Sequence, residues 1–465
     1  MNSKQQTIKE SVSLSGVGLH TGNKVTLTFM PADIDHGIKF QRVDIEGKPI
    51  IEADADLVVD VSRGTTLEKD GVRVATTEHA LAALVGLQID NVLIQLDAAE
   101  IPIMDGSSLP FVEALNKVGF EEQNATRNFF EITEAISYKD EERDVEIQAL
   151  PLNDYRVTVM VDYNSKVLGS QHAGINSLAD FEEHIASSRT FCFFHELKAL
   201  HSQGLIKGGD VDNAIVIVDR EVEQSEVDEL SGLFNKTDLK VEAGGTLNNI
   251  DLRHKNEPAR HKLLDVLGDL ALIGRPLKGH ILAARPGHKA NVEFAKRVKK
   301  LIKDQKRKKA PHYDPRDVPF MNAAQIYEAL PHDHPFKLVD KIVSLDQTSV
   351  VGVKNITIDQ PMFQGHFPGN PVFPGVLQLE TMAQVGGIFV LNTVPDPENY
   401  WTYFLGVKEC KFRKPVIPGD TMVFKCTLLR PITRGLAQMQ GQAFVNDQLV
   451  CEAEILAKII KKDVI

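Results

Sequence analysis

Three residues on two apolar segments have the types and spacing of a metal site. His261 and Asp265 lie four positions apart in HKLLDVLGDL, so a helix would place both side chains on one face. This spacing alone more often gives a surface hydrogen bond, so a third ligand is needed to favour a metal. His79 is the candidate third ligand. It follows Glu78 and a pair of threonines suited to capping a helix.

Two histidines and one aspartate would give a zinc ion three protein ligands and leave a fourth position for water. A zinc-bound water molecule loses its proton near neutral pH, and a carboxylate beside it can accept that proton during hydrolysis. Glu78 is suited to this role. The alternative for Glu78 is an ordinary acidic residue in the first turn of a helix.

A second pair, His366 and Glu380, has the types needed to eliminate water from a substrate. That reaction removes a proton from one carbon and delivers a proton to a hydroxyl group that leaves the next carbon. Glu380 lies in an apolar segment, where the pKa of a carboxyl group rises, so we expect Glu380 to be the acid and His366 the base. Backbone N–H groups at Gly375 and Val376 could receive a developing negative charge. The alternatives are a loop histidine and a helix glutamate that reaches solvent.

The elements that must position these residues follow two patterns. Up to about residue 305, strand-like segments such as KVTLTF and YRVTVMVDY alternate with helical ones near 77–88, 107–118, 178–187 and 258–273, an α/β pattern. After about residue 305, one apolar helical segment at 375–392 precedes segments in which apolar and polar residues alternate as in strands. This pattern predicts a helix held by an antiparallel sheet. Gly386 and Gly387 in that helix predict a close approach of another backbone.

Two of the helical segments resemble each other. His79 and Gly86 enclose ALAALV, and His261 and Gly268 enclose KLLDVL, so both copies share a leucine two positions after the histidine. This similarity predicts an internal duplication in which each half donates one histidine to a shared site.

Composition excludes several classes of protein. The net charge of -12 disfavours nucleic-acid binding, and four scattered cysteines form no disulfide framework or zinc knuckle. No apolar run is long enough to cross a bilayer and the amino terminus lacks a signal sequence, so we expect a cytoplasmic protein. A basic run from Lys296 to Lys309, followed by Pro311, Pro315 and Pro319, predicts a helix end and a linker between domains.

At this point the sequence resembles two known families. The first region carries ATTEHALAAL, PIMDGSSLPFV, SSRTFCFF, GGDVDNAIVIVD, RHKLLDVLGDL and RPGHKAN, which are similar to the UDP-3-O-acyl-N-acetylglucosamine deacetylases. The resemblance implies two similar α/β halves that meet at a catalytic Zn2+. It implies metal ligation by His79, His261 and Asp265, with Glu78 as the general base.

The same resemblance implies further roles. His288 would be the cation that stabilises the oxyanion and protonates the departing amine, and Asp269 would orient it. Thr190 would hydrogen-bond the oxyanion. Lys262 would lie near polar groups of the substrate, and Phe191 or Phe193 would line a passage for its acyl chain. Since no GxGxxG or Walker motif is present, the uridine diphosphate would be held by dispersed contacts.

The second region carries LPHDHPFKLVDKI, FQGHFPGNPVFPGVLQLETMAQ and FRKPVIPGD, which resemble the 3-hydroxyacyl-[acyl carrier protein] dehydratases. The resemblance implies a hot-dog fold, with His366 of one chain facing Glu380 of another across a dimer interface. Glutamate at 380 resembles the branch that dehydrates without isomerising. One departure is Asp333 with His334, where the family usually carries a basic residue and an aromatic one. The acyl carrier protein is expected to dock on a basic cluster: Lys408, Lys411, Arg413 and Lys414.

Together these features predict an α+β protein with duplicated two-layer α/β halves at residues 1–125 and 126–305, a linker at 306–317 and a hot-dog domain at 318–465. The predicted partners are a UDP-linked acyl glucosamine, acyl carrier protein and a second copy of the chain, with no nucleic acid and no transmembrane segment. Two alternatives are a carrier-protein-binding scaffold with a structural zinc ion and a hot-dog thioesterase in the second region. The scaffold would be expected to have lost at least one catalytic residue, and the thioesterase would lack the FQGHFPG loop.

Overall fold

The computed structural model describes residues 3–197, 207, 213–233, 239–242, 245–248, 250–307 and 309–462. The chain divides into two compact units, residues 1–302 and 303–465. The largest apolar core of the first unit draws on residues from Ile8 to Ile302, and that of the second on residues from Ile326 to Ile455.

The first half of the first unit is built around one five-stranded sheet. Its elements are β1 (Lys4–Ile8), β2 (Val12–Val17), β3 (Lys24–Pro31), β4 (Ile38–Arg42), β5 (Ile50–Glu52), β6 (Val58–Asp60), β7 (Thr66–Lys69), β8 (Val72–Val74), α1 (Glu78–Gly86), β9 (Val92–Leu96), α2 (Leu109–Val118) and β10 (Phe120–Thr126). The sheet has the strand order β2-β3-β9-β4-β5, and its central strand β9 runs antiparallel to β3 and parallel to β4. Smaller sheets are formed by β1-β10 and by β6-β7-β8.

The second half repeats this arrangement. Its elements are β11 (Phe130–Glu131), β12 (Ile136–Asp140), β13 (Val145–Leu150), β14 (Tyr155–Asp162), β15 (Ser170–Ile175), α3 (Phe181–His184), β16 (Phe191–Phe193), β17 (Ile215–Ile217), α4 (Gln224–Leu233), α5 (Glu257–Ala271), β18 (Leu277–Ala284) and α6 (His288–Arg307). The sheet has the order β12-β13-β18-β14-β15, with β18 antiparallel to β13 and parallel to β14. Because α1 and α5 each precede the central strand of their sheet, the predicted duplication is confirmed.

Helices α1 and α5 pack against each other inside this unit. Gly268 of α5 allows the contact, since a Cβ atom there would lie 2.1 Å from the carbonyl oxygen of Glu78. Nearly all residues of both helices are buried, His79, His261 and Asp265 among them. Polar side chains on these helices must therefore find partners within the protein.

The predicted helix at 178–187 is confirmed in part. The segment forms a 3₁₀ turn at Leu178–Asp180 and then only the single turn of α3. Ser177 and Asp180 form a capping box that starts the turn. The chain beyond α3 forms the short strand β16, which pairs in parallel with β17.

The second unit is an antiparallel sheet that holds one long helix. Its elements are α7 (Ala323–Ala329), β19 (Lys341–Leu345), β20 (Ser349–Asn355), α8 (Gly375–Leu391), β21 (Tyr400–Phe412), β22 (Thr421–Leu428), β23 (Leu436–Val445) and β24 (Gln448–Lys461). The sheet has the order β19-β20-β22-β23-β24-β21, and α8 packs against it. This arrangement confirms the predicted hot-dog fold.

Gly386 and Gly387 of α8 are required for a different reason from the one predicted. A Cβ atom on Gly386 would meet the side chains of Met439 and Ile455, and one on Gly387 would meet Thr402. The prediction that another backbone approaches here is therefore wrong, because the neighbours are side chains of the sheet. A closer contact between sheet and helix is made at Gly441 of β23, where a Cβ atom would lie 2.1 Å from the Met382 sulfur of α8.

The basic run is helical over most of its length. Helix α6 continues to Arg307 and so includes the first two residues of the predicted linker. Lys299 of this run is buried and ion-paired with Asp54 and Asp56, so it anchors the helix. The four cysteines are free thiols. Among the described residues, no helix has the length and apolarity to cross a membrane.

Candidate active sites

The predicted metal ligands converge between the two halves of the first unit. The ligand atoms of His79, His261 and Asp265 all lie within 4.8 Å of one another. The two imidazole rings are 5.1 Å apart and nearly perpendicular, and Nε2 of His261 lies 3.4 Å from Oδ1 of Asp265. All three side chains are buried. One half thus supplies one histidine, and the other half supplies the second histidine and the aspartate.

Hydrogen bonds leave one coordinating atom free on each α5 ligand. Nδ1 of His261 lies 3.0 Å from the Ser188 carbonyl oxygen, to which it donates, so Nε2 keeps its lone pair. Oδ2 of Asp265 accepts a bond of 2.9 Å from Lys262, while Oδ1 is buried with no hydrogen-bond partner among the described residues. Buried polar atoms are seldom left unpaired, so this donor set fits a zinc ion.

The charges of these residues also fit metal binding. Burial lowers the pKa of His79 to about 3, and burial likewise lowers the pKa of His261. Burial acts to raise the pKa of Asp265, but the neighbouring Lys262 ammonium lowers it further, and the net pKa falls below its usual range. At neutral pH the site therefore offers two neutral imidazoles and a carboxylate.

Glu78 is the first residue of α1 and is buried beside this site. Its Oε2 accepts a 2.9 Å hydrogen bond from the backbone N–H of Thr65, and burial raises its pKa to about 7. The predicted capping by threonine is not made. Thr77 occupies the cap position without a side-chain cap bond, and its hydroxyl donates to the Thr65 carbonyl oxygen instead.

His288, the first residue of α6, forms a partly buried ion pair with Asp269. Its Nδ1 lies 2.9 Å from Oδ2 of Asp269, and its Nε2 lies 3.9 Å from Oδ2 of Asp265. Asp269 also accepts hydrogen bonds from Asn291 and Thr65. Burial acts to lower the pKa of His288, but Asp269 and Asp265 raise it more, to about 10. The imidazole is therefore a cation at neutral pH.

A cavity of about 200 Å³ opens onto these groups. It is lined by Glu78, His79, His261, Asp265 and His288, together with Thr190, Phe191, Lys262, Leu19, Ser62, Arg63, Thr76 and Ile103. Phe193 is not among the lining residues. Its ring packs against Tyr163, 5.8 Å away, and stacks on His195 at 5.5 Å. Of the two predicted phenylalanines, Phe191 is therefore the one at the cavity.

A buried ion pair that the sequence did not reveal holds Thr190 in place. Arg189 donates from its backbone N–H and its Nε to Oε1 of Glu257, at 3.0 and 2.9 Å. The backbone N–H of Thr190 donates to the Gly106 carbonyl oxygen. Glu257 starts α5, one turn before His261. No sequence signal could join Arg189 to Glu257, since 68 positions separate them.

In the second unit, His366 and Glu380 have separate sets of contacts. Nδ1 of His366 lies 2.7 Å from the Val372 carbonyl oxygen, which fixes the ring within its loop. Oε1 of Glu380 accepts a 2.8 Å bond from Gln384 and lies 3.4 Å from Nε2 of His332. No hydrogen bond or ion pair joins His366 to Glu380 in the described part of the single chain.

His332 and Gln384 were not predicted as site residues. Gln384 lies one helical turn after Glu380, and its amide also donates to the Phe336 carbonyl oxygen and accepts from the backbone N–H of Leu338. A polar residue on the same face of an apolar helix as Glu380 was the signal that could have identified it. Gly375 begins α8 against the ring of Phe412, and Val376 is 71% exposed.

The predicted docking residues are exposed on and beside β21. Arg413 is ion-paired with Glu452, and Lys414 is hydrogen-bonded to Gln448. Lys408 and Lys411 lie opposite Glu454 and Glu452 on β24. These carboxylates partly offset the positive charge of the cluster.

Two family profiles match the chain. The UDP-3-O-acyl N-acetylglycosamine deacetylase profile matches residues 5–231 and 230–300, and the FabA-like domain profile matches residues 330–454. Similar proteins named bifunctional enzyme LpxC/FabZ occur in Bacteroides thetaiotaomicron, at 49% identity over 458 residues, and in Chlorobaculum tepidum, at 47% over 463 residues. Each alignment covers 98% of this chain and 99% of the relative. A UDP-3-O-acyl-N-acetylglucosamine deacetylase of Saccharophagus degradans is 39% identical over 305 residues, which are 65% of this chain and 91% of that protein.

Proposed function

This chain belongs to the family of bifunctional enzymes that join a UDP-3-O-acyl-N-acetylglucosamine deacetylase to a FabA-like 3-hydroxyacyl-[acyl carrier protein] dehydratase, and from this premise we propose which residues perform each reaction. The first activity belongs to lipid A synthesis and the second to fatty acid synthesis. The observation that carries this conclusion is the match to bifunctional relatives over nearly the whole chain. A cytoplasmic location stays a prediction.

For the deacetylase we propose a zinc ion held by His79, His261 and Asp265. The unpaired Oδ1 of Asp265 and the free Nε2 of His261 support this ligand set. When bound, zinc polarises the carbonyl group of an amide and lowers the pKa of a water molecule. Glu78 then takes a proton from the attacking water, since its buried carboxylate lies at the same cavity and has a pKa near neutrality.

Breakdown of the tetrahedral intermediate needs an acid and a partner for the oxyanion. We assign the acid to His288, whose imidazolium is maintained by Asp269. It donates a proton to the amine nitrogen as the C–N bond breaks, which leaves acetate and the free amine. Thr190 lines the same cavity and would hydrogen-bond the oxyanion.

The proposed substrate of this site is a UDP-linked acyl glucosamine. Lys262 reaches the cavity with its ammonium 5.6 Å from the centre of the Phe191 ring, so a cation and an aromatic face lie side by side there. This pair suits a substrate that combines anionic phosphates with an apolar acyl chain. Phe193 would act indirectly, by supporting Tyr163, which also contacts Phe191.

For the dehydratase we propose that His366 removes the proton from C2 of the hydroxyacyl thioester. The Val372 carbonyl oxygen accepts from Nδ1, so Nε2 has the lone pair for this step. Glu380 protonates the hydroxyl group at C3, the C–O bond breaks, and water leaves with formation of the C2–C3 double bond. The backbone N–H groups of Gly375 and Val376, at the start of α8, would stabilise the thioester oxygen.

We further propose that the second unit forms homo-oligomers. Strand β21 is at the edge of the sheet and pairs only with β24 among the described strands. Its apolar side chains Phe404, Leu405 and Phe412 are 41–52% exposed. A long apolar edge strand favours pairing with another chain. A second copy would also supply a His366 for Glu380, since no hydrogen bond or ion pair joins these two residues within the described chain.

Acyl carrier protein is the proposed partner of the basic cluster Lys408, Lys411, Arg413 and Lys414. We expect reversal of Lys408 and Lys411 to Glu to weaken the apparent affinity for carrier protein at low salt by about tenfold, because exposed charge contacts act through long-range attraction. Steady-state KM for the carrier-bound substrate measures this. Reversal of Lys24 and Lys48 in the first unit is the charge-matched control. An unchanged KM in the first variant would locate the docking site elsewhere.

Both activities can be tested together on one purified sample. We expect that sample to deacetylate the nucleotide sugar, to dehydrate the carrier-bound hydroxyacyl chain and to contain one zinc ion per chain by elemental analysis. Removal of the metal by a chelator should abolish the first reaction and spare the second. Full deacetylase activity in the metal-free sample would contradict the proposed zinc site.

A further inference from the structure

The first unit contains a second cavity, of about 250 Å³, that shares no lining residue with the deacetylase cavity. Its wall includes residues near the carboxyl ends of α1 and α5, such as Val85, Leu267 and Leu270. His79 and His261 lie nearer the amino ends of the same two helices, and Asp265 lies near the middle of α5. The wall is mainly aliphatic, with Ile38, Ile89, Leu178 and Leu277 contributed by other segments.

One polar group in this wall has no partner. Tyr155, the first residue of β14, lines the cavity and is only 4% exposed. Its hydroxyl makes no hydrogen bond within the described part of the chain and is not among the fully buried unpaired atoms, so it is accessible from the cavity that the side chain lines. Burial raises its pKa above the usual range, so the hydroxyl keeps its proton at any physiological pH. It can therefore donate a hydrogen bond to a bound molecule.

The acidic residues of the lining are all neutralised. Their partners are the ion pairs Asp90–Arg127 at 2.8 Å, Glu52–Lys69 at 2.9 Å and Asp54–Lys299. Only Arg127 among these three cations also lines the cavity. The acidic residues therefore contribute no free negative charge to the space.

Positive charge in the lining exceeds negative charge. Arg275 forms no ion pair with any residue that the structure describes, and Lys39 lies opposite Glu52, a carboxylate that also pairs with Lys69. The Arg275 guanidinium donates to the carbonyl oxygens of Asn128 and Phe129, at 3.0 and 2.8 Å, and these are uncharged acceptors. Burial lowers the pKa of Arg275, which is the sign of a cation held without an anion. The cavity thus combines an aliphatic wall with excess positive charge.

We propose that this cavity binds a monocarboxylate with an aliphatic tail, of about the size of octanoate. The carboxylate lies against Arg275 and Lys39, the tail lies along the aliphatic wall, and Tyr155 donates a hydrogen bond to the ligand. An inorganic anion would leave the aliphatic wall uncovered, and an uncharged chain would leave the excess positive charge without an anion. Only His36 and Tyr155 among the lining residues carry aromatic rings, so the wall favours an alkyl chain over stacked rings. This proposal does not depend on either catalytic assignment.

Calorimetric titration of octanoate into the zinc-loaded full chain tests the site. We expect saturable binding that becomes about tenfold weaker or more in a Lys39→Gln, Arg275→Gln double variant, because two charge-assisted contacts are lost. Arg285→Gln is the control. This arginine pairs with Asp144 and is not among the cavity residues, so octanoate affinity should be unchanged. If octanoate bound in the catalytic cavities instead, its affinity would be the same for the wild type, the double variant and the Arg285→Gln control, and this result would contradict the proposal.

Two further titrations identify which part of the ligand is recognised. Octanol has the same tail without the charge, and we expect it to bind at least about tenfold more weakly than octanoate. Inorganic phosphate should not displace octanoate. Equal affinity in the double variant, equal affinity for octanol, or displacement by phosphate would each overturn the proposal. If the double variant melts at a lower temperature than the wild type, Tyr155→Phe replaces it, with an expected severalfold loss of affinity.

Discussion

At the scale of single residues, burial shifts the titratable groups of the deacetylase site in different directions according to their neighbours. Burial raises the pKa of Glu78 to about 7 and lowers that of His79 to about 3. His288 is only partly buried, and Asp269 and Asp265 raise its pKa to about 10 although burial acts to lower it. Neighbouring side chains therefore have different protonation states: Glu78 can act as a base, His79 is a neutral ligand and His288 is a cationic acid. Hydrolysis requires these different states in one site.

The ligand assignment predicts the effect of single substitutions. His79→Ala or Asp265→Ala should lose bound zinc and reduce deacetylase kcat by roughly a thousandfold or more, because several kcal/mol of transition-state stabilisation are removed. Dehydratase activity of the same samples should be unchanged. His172→Ala, an exposed histidine of β15, is the matched control and should keep both zinc and activity. Zinc retained at full occupancy in Asp265→Ala would contradict the ligand set.

The ion pair of His288 with Asp269 predicts a change in pH dependence. His288 acts in its protonated form, so deacetylase kcat/KM should fall as pH rises through its pKa. Asp269→Asn removes an adjacent anion that favours the imidazolium, so this alkaline limb should move to lower pH by roughly 1 to 3 units. The comparison is made between two zinc-loaded proteins, where the ion acts on both alike.

Asn291→Ala separates charge from hydrogen bonding in this test. It removes a hydrogen bond to the same carboxylate without removing a charge, so its alkaline limb should move less than that of Asp269→Asn. Identical limbs in wild type and Asp269→Asn would show that His288 is not the acid.

Candidate residues that depend on local spacing could be predicted from the sequence, whereas those that depend on contacts between distant segments could not. His261 and Asp265 are one helical turn apart, and a spacing of four residues can be recognised directly in the sequence. The resemblance to a family supplied Thr190, Asp269 and His288 as candidates. The pairs Arg189–Glu257 and Thr65–Asp269 depend on tertiary contacts between distant segments, which no local pattern encodes.

At the scale of elements, a single buried ion pair joins the segment that carries Thr190 to the helix that carries two metal ligands. Arg189 and Glu257 have side chains that are 7% and 0% exposed. Glu257 also accepts from the backbone N–H of Arg253, so the start of α5 is fixed to two loops. The position of Thr190 relative to His261 therefore depends on this pair.

Glu257→Gln should destabilise the first unit by about 3–5 kcal/mol, because Arg189 is left buried without its counter-charge. Burial acts to raise the pKa of Glu257, but its bonds with Arg189 lower it more, and the net pKa is below the usual value. The pair therefore stabilises the protein above the ordinary glutamate pKa of about 4.3, and this contribution is lost as pH falls through the lower folded-state pKa.

Urea unfolding at neutral and acidic pH measures this effect. The difference in unfolding free energy between wild type and Glu257→Gln should shrink on acidification. Glu68→Gln breaks the exposed pair with Arg73 and should cost less than about 1 kcal/mol. Equal stability of wild type and Glu257→Gln at neutral pH would refute the role of the pair.

The elements themselves were predicted best where burial is uniform. Helices α1 and α8 lie within the predicted segments and α5 begins one residue before its segment, because long apolar runs leave few alternatives. Strand β21 was not predicted. Its sequence YWTYFLGVKECKF does not alternate, and most of its side chains are at least partly exposed in the single chain. A strand whose partner is another molecule need not show the period of a strand buried on one face.

At the scale of the whole molecule, the two active sites differ in the number of chains that they require. The deacetylase ligands come from two halves of one unit. No hydrogen bond or ion pair, in contrast, joins His366 to Glu380 within the described chain. We therefore predict that the dehydratase site is shared between two chains and that the deacetylase site is complete in one.

Co-expression of inactive variants tests this prediction. His366→Ala and Glu380→Gln chains should together regain part of the dehydratase activity, because mixed dimers contain one intact pair. His79→Ala and His261→Ala chains should regain no deacetylase activity. Absence of rescue for the first pair, despite mixed dimers verified by differential tags, would rule out the shared site. Rescue of the second pair would rule out the self-contained one.

The strand order of the second half has a consequence for synthesis on the ribosome. Strand β18 lies at the centre of its sheet, between β13 and β14, yet it is the last strand of that half to be made. Until Ala284 leaves the exit tunnel, the strands on its two sides have no partner to join them, so the nascent half can only hold separate hairpins. By then the ribosome is already translating the region that becomes the second unit. The first enzyme can therefore complete its fold only while the second is being synthesised.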